Sequence, residues 1–190
     1  MATKRIILAI MFILLAAFIG GCAENPTPPE VVKNESTSNQ QQAAMPGSQD
    51  IDQGKMVIKV YNATKDAVHL VAESHVVLKN DHPAQTAMEL LVAGTKNDQL
   101  VSVMPAGTKL RHLSIKDNIA YVDFNDNLIK NNTGGSAAEM LLVGSIINTL
   151  TEFNNIQKVQ IMVEGKKIDT ISGHMDIGEP LSRSEKIIKK

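Results

Sequence analysis

The residues of this chain whose types and spacing could carry chemistry are one cysteine, five histidines and one oxygen-rich string. The string, Asp123-Phe124-Asn125-Asp126-Asn127, begins like a calcium loop. Its sixth position is Leu128 where a sharp turn needs Gly, and its twelfth is Gly134 where a bidentate Glu would stand. It reads as the polar exit of a strand. His69, His75, His82, His112 and His174 are scattered, with no H-E-x-x-H and no pair at helical i, i+4 spacing. His69 and His75 could share one face of a strand, but two ligands leave a metal site incomplete, so these histidines read as solvated surface groups. Neither G-x-S-x-G nor S-x-x-K occurs. Gly134-Gly135 lacks the Lys and the spacing of a phosphate loop and reads as the start of a helix. The expectation is a chain with no catalytic residue, no metal and no cofactor, hence not an enzyme.

The cysteine has a different context. Lys4 and Arg5 precede an apolar run from Ile6 to Ile19, then Gly20, Gly21 and Cys22. A basic start, an apolar middle and a small-residue end make a secretion signal. At ~1.5 Å per residue the run of ~14 residues spans ~21 Å of a ~30 Å hydrocarbon layer, too short for a comfortable membrane helix. Ile19-Gly20-Gly21-Cys22 resembles the bacterial lipobox, in which the cysteine thiol receives a diacylglycerol. The plainer alternative is a small residue near an ordinary signal cleavage site. The reading taken is a signal over 1–21, lipidation of Cys22, and a chain anchored to the cell membrane on its extracytoplasmic face, because the single Cys falls where lipid would be attached. Several acyl chains at ~0.8 kcal/mol per methylene suffice for stable anchoring.

Composition narrows the remainder. Of 190 residues 43% are apolar, 21% charged and 3% aromatic, with no Trp and a formal net charge of -1. Such a chain has neither the positive field nor the stacking platforms that nucleic acid requires. One cysteine excludes an intramolecular disulfide and thiolate clusters. Residues 22–55 are rich in Pro, Asn, Gln, Ser and Thr, and read as a disordered tether of ~30 Å typical span. One domain over 56–183 and a basic tail over 184–190, expected to fray, complete the chain. Nine methionines are divided between signal, tether and domain and read as core filling.

The elements that must position these residues follow from periodicity. Met56–Tyr61 and Val68–Leu78 read as strands joined by a turn at 62–66. Pro83 opens a helix of about three turns with apolar Ala84, Ala87, Met88 and Leu91, and Gly94 stops it. Leu110–Lys116 and Ile119–Asn125 form a hairpin about Asp117-Asn118, residues that tolerate positive φ. Ser136 and Glu139 have capping-box spacing at the start of a second, largely buried helix. A strand over Val159–Val163 follows, with a further short one over Ile168–Ile171. The fold class expected is α+β, a two-layer domain with one mixed β-sheet and two helices packed on one face.

Val57-Ile-Lys-Val-Tyr61, Met88-Glu-Leu-Leu-Val-Ala-Gly94, Met104-Pro-Ala-Gly-Thr-Lys-Leu110, Ile119-Ala-Tyr-Val-Asp-Phe124, Ser145-Ile-Ile-Asn-Thr-Leu-Thr151, Val159-Gln-Ile-Met-Val-Glu-Gly165, Gly173-His-Met-Asp176 and Glu179-Pro-Leu-Ser182 occur in that order. Together they resemble the GerMN domain, the family named for sporulation and spore germination proteins. The resemblance covers nearly all of 57–183. It implies a non-enzymatic envelope domain, often carried by lipoproteins, that acts with another envelope protein in sporulation or germination. Some members carry two such domains, and this chain has room for one. The alternative function is a solute- or cell-wall-binding lipoprotein. Oligomeric state is left open.

Overall fold

The computed structural model describes residues 54–190, so the signal, Cys22 and all but the last two residues of the tether lie outside the described residues. The α+β class is confirmed. β1 (Lys55–Thr64) pairs antiparallel with β2 (Leu70–Leu78) and, at its end, with β3 (Leu100–Val101). α1 (Pro83–Ala93) lies between β2 and β3 in sequence. A second, five-stranded sheet contains β4 (Leu110–Lys116), β5 (Ile119–Phe124), β6 (Lys158–Val163), β7 (Lys166–Lys167) and β8 (Leu181–Ser182). β4 and β5 are antiparallel, whereas β5 and β6 are parallel, making this sheet mixed. The β5–β6 crossover carries the short α2 (Asn127–Lys130) and the long α3 (Ser136–Leu150).

α3 is the centre of the domain. Every residue from Leu141 to Leu150 is buried, as befits a helix apolar around most of its circumference. Leu142, Ile146 and Leu150 meet Ile58 and Val60 of β1, Met88 and Leu91 of α1, and Val122 and Ile161 of the mixed sheet in one core.

The sequence pattern predicts one sheet, whereas the strands divide into two, and α3 supplies the reason. The Tyr61 N–H donates to Thr149 Oγ1 at 3.0 Å, and Ser145 Oγ donates to the Tyr61 carbonyl. Two side chains one helical turn apart thus occupy backbone groups on the side of β1 away from β2. At Tyr61 this edge has nothing left to offer a further strand, and β3 joins it only beyond that point, at Ala63 and Thr64.

The hairpin has the expected two-residue turn, with φ of 52° at Asp117 and 60° at Asn118. α1 begins at Pro83 and ends at Gly94, whose φ of 78° suits a residue without Cβ. β1 continues into the turn expected at 62–66 as far as Thr64. Residues 168–171 form no strand: a tight Glu164-Gly165 turn makes Lys166–Lys167 the partner of β6.

The segment expected to fray packs on the domain. Glu185–Ile187 form a 3-10 turn, Ile188 bridges Leu70 in parallel, and the Lys189 N–H donates to the Leu70 carbonyl at 2.8 Å. Ile187 sits over Gly144, where a Cβ would collide with its Cδ1. Two isoleucines among basic residues are enough, because a small apolar cluster of Tyr61, Ala63, Leu70 and Leu141 is there to receive them.

Candidate functional site

α1 turns Ala84, Ala87, Met88 and Leu91 into the core. Its Gln85, Glu89 and Val92, at i, i+4 and i+7, form a second stripe on an adjoining face. That stripe and the strand segment Lys109–Leu113 enclose a hollow of about 440 Å³. A second hollow of about 230 Å³ shares Gln85 and Leu113 and runs on past Pro83, Ile115 and Phe153. The two form one trough between α1 and β4.

β4 is the terminal strand of its sheet among the described residues. The two-residue turn makes Lys116 and Ile119 the closing hydrogen-bonded pair, and alternation places Ser114 and Tyr121 in the next. The N–H and C=O groups of Leu113 and Ile115 therefore point away from β5. The strand is cationic: Lys109, Arg111 and Lys116 fall within eight residues that hold no carboxylate. Arg111 is occupied, its guanidinium 2.8 Å from Asp123 Oδ2 and 3.4 Å from Glu164 Oε2.

Elsewhere polar side chains hold loops. Glu139 is fully buried, and its Oε1 accepts from Thr170 Oγ1 at 2.8 Å and from the N–H groups of Ile171 and Ser172 at 2.9 Å. Its Oε2 accepts from the His174 N–H at 2.9 Å. Burial alone would raise this carboxyl, but the Ser172, Thr170, His174 and Ile171 donors hold it below its ordinary value. The capping box expected of Ser136 and Glu139 does not form: Ser136 is the first helical residue, Gly135 is the N-cap, and the carboxylate faces the 170–174 loop. Of residues 168–171, Ile171 thus commits its N–H to Glu139 instead of to a strand.

Arg183 fastens the C-terminal segment. It lies 2.6 Å from the Tyr61 hydroxyl, 2.8 Å from Glu152 Oε1 and 2.9 Å from the Asn148 carbonyl, with its charge over the Tyr61 ring. Tyr61 donates to Glu152 at 2.6 Å, and Lys59 stands 3.2 Å from the other oxygen. Burial and the Glu152 bond push the Tyr61 phenol up, against the pull of Arg183. Burial opposes the Glu152 charge, yet Tyr61, Lys59 and Arg183 hold that carboxyl low.

The oxygen-rich string is a latch. Asn125 and Asn127 both donate to the Gly107 carbonyl, at 3.0 and 2.8 Å, and Asn125 Oδ1 accepts from the Lys109 N–H. Asp123 Oδ1 accepts from the Gly165 N–H at 2.8 Å. The histidines remain dispersed: His82 is the N-cap of α1, His112 lies on β4, and His75 stands 3.7 Å from Glu73. Among the described residues no group of three or more His, Cys, Asp or Glu is placed to hold a metal ion. Sequence reasoning missed the trough, since Gln85, Glu89 and Val92 signal nothing until α1 is set beside β4, and it missed the loop-holding role of Glu139.

Fold and site together define a small α+β domain built around a buried helix, with polar side chains that hold its loops and the edge of β4 open above a trough. Residues 58–169 match the sequence family Germane, described as "Sporulation and spore germination", and the chain belongs to that family. It is 30% identical over 125 residues to the spore germination protein GerM of Bacillus subtilis (strain 168), covering 63% of this chain and 33% of that protein. The chain thus spans a third of the curated relative it matches. The solved tandem GerMN domains of the sporulation protein GerM from Bacillus subtilis superpose with a TM-score of 0.59 at 26% identity, covering 67% of this chain and 46% of that one. The first GerMN domain of the same protein gives 0.58 at 27% identity, covering 67% of this chain and 98% of that one. The resemblance read from residues 57–183 is therefore confirmed.

Proposed function

We propose that this chain is a membrane-anchored extracytoplasmic lipoprotein whose domain acts, without catalysis, as a protein-interaction module of the cell envelope in sporulation or spore germination. The single observation that carries the interaction role is the open β4 edge above the α1 trough, a surface of unpaired backbone groups next to partly exposed Leu113 and Ile115. Family membership supports the sporulation or germination context. The anchor rests on the lipobox-like residues ending at Cys22. No described helix is long and apolar enough to cross a membrane. The carboxylates of Glu139 and Glu152 are engaged with loop amides and with cations respectively, which supports a structural role for both over one in turnover.

Crosslinking in intact cells carrying an epitope-tagged chain, once in growth and once in sporulation, tests this. The expected result is a distinct envelope protein captured in sporulation, and loss of membrane association in Cys22→Ser. Turnover of wall or lipid substrates by the purified chain, abolished by a point substitution, would overturn the non-enzymatic reading.

A further inference from the structure

The edge of β4 differs from an ordinary sheet edge because a helix reaches past it. The Gln85, Glu89 and Val92 stripe of α1 lines a trough whose other wall is β4 itself. Along the gap, Leu113 and Ile115 present outward backbone donors and acceptors, and Ile115 is 39% exposed. We infer that β4 takes an extended segment of another protein as an added strand, and that this segment alternates apolar with acidic residues; the inference rests on the interaction reading above.

The alternation follows from the pleat. Residues of an added strand point by turns into the trough and out to the solvent face. The trough side offers Val92, Leu113 and Ile115, which suit apolar side chains. The solvent side runs beside Lys116, and Lys109, which also lines the trough, stands before the other end of the strand; both are exposed and neither is held in an ion pair among the described residues, with Arg111 already shared between Asp123 and Glu164. Acidic side chains there complete the charge pattern, whereas lysines would meet like charge. Glu89 on the helix side and Lys109, Arg111 and His112 on the strand side are the ionisable groups lining the larger hollow, so the apolar side chains of the added strand are directed to Val92, Leu113 and Ile115.

The test uses the full chain in detergent micelles and a fluorescent, end-blocked peptide of alternating Glu and Val, roughly ten residues long so that it spans β4. Its Lys-and-Val counterpart is the control. Expected are saturable binding of the acidic peptide by anisotropy, binding of the basic peptide about tenfold weaker or less, and slowed amide exchange at Leu113 and Ile115. The paired substitution Lys109→Glu with Lys116→Glu leaves the backbone alone and should reverse the preference. Ile115→Pro, which removes one outward donor, should weaken binding of either peptide. Equal binding of both peptides, binding without protection of residues 110–116, or no binding of the acidic peptide overturns the inference. If an envelope protein is still captured in cells while the peptide test fails, strand addition alone falls; if neither result appears, the interaction reading falls with it.

Discussion

Two regions of this domain treat exposed backbone in opposite ways, while the outer edge of β2 beyond Leu70 is open like that of β4. On the α3 side, β1 has its Tyr61 peptide taken by Ser145 and Thr149, β2 has its Leu70 carbonyl taken by Lys189, and the 170–174 loop has its amides taken by Glu139. Near α1, the outward groups of Leu113 and Ile115 are left unpaired beside a trough. Buried polar groups must be satisfied internally at a cost of a few kcal/mol each if they are not. The closed side therefore reports what the fold needs, and the open side reports what it can spare for another molecule.

The contrast is most easily broken at Glu139. Glu139→Ala should lower unfolding free energy by about 3–4 kcal/mol, because it strands several buried donors at once. Urea unfolding measures this, and Glu139→Gln, which keeps one acceptor, should lose about half as much. The pH dependence follows from the depressed carboxyl. Between the folded and unfolded values the unfolded chain binds more protons. Its stabilisation is therefore full above the ordinary glutamate value of about 4.3 and is lost as pH falls through the lower folded value. The acid limb of the stability curve should be flatter in Glu139→Gln.

The C-terminal segment comes next. Arg183→Ala should cost about 1–2 kcal/mol, reduced by added salt, since the side chain is partly solvated. Amide exchange at residues 185–189 should rise with it. Gly144→Ala gains up to about 1 kcal/mol of helix propensity and meets Ile187, so a net loss of about 1 kcal/mol is expected. Combining it with Ile187→Ala should cost less than the sum of the two, a coupling that a double-mutant cycle reads directly. The smallest effect is expected on the open side: Ile115→Lys should leave stability within about 0.5 kcal/mol while abolishing capture of an envelope partner in cells.

Periodicity and turn chemistry make most of the elements legible. Pro83 and Gly94 bracket α1, and Asp117-Asn118 makes the hairpin turn, because each acts within a few residues of itself. What stays hidden depends on partners distant in sequence. Ser136 and Glu139 have the spacing of a capping box, yet the carboxylate is claimed by amides more than thirty residues away. Ile187 and Ile188 look like an ordinary pair in a basic tail until Gly144 and Leu70 supply a place for them. Asp123 to Asn127 departs from the pattern of a calcium loop at two legible positions, but its role as a latch on residues 107–109 needs the fold. The division into two sheets is hidden for the same reason, since Ser145 and Thr149 read as polar interruptions of an apolar helix rather than as partners of Tyr61.

The most direct test of the contrast places a photo-activated crosslinking amino acid in the full chain at Ile115, on the open edge, or at Lys186, on the C-terminal segment. A third chain carries it at Val76, a 67% exposed position on β2, whose outer edge is also open. Irradiation of intact sporulating cells should yield a discrete envelope-protein adduct from Ile115 and none from Lys186 or Val76. An adduct from Val76 or Lys186 with none from Ile115 would contradict the account and move the interaction surface away from the β4 edge.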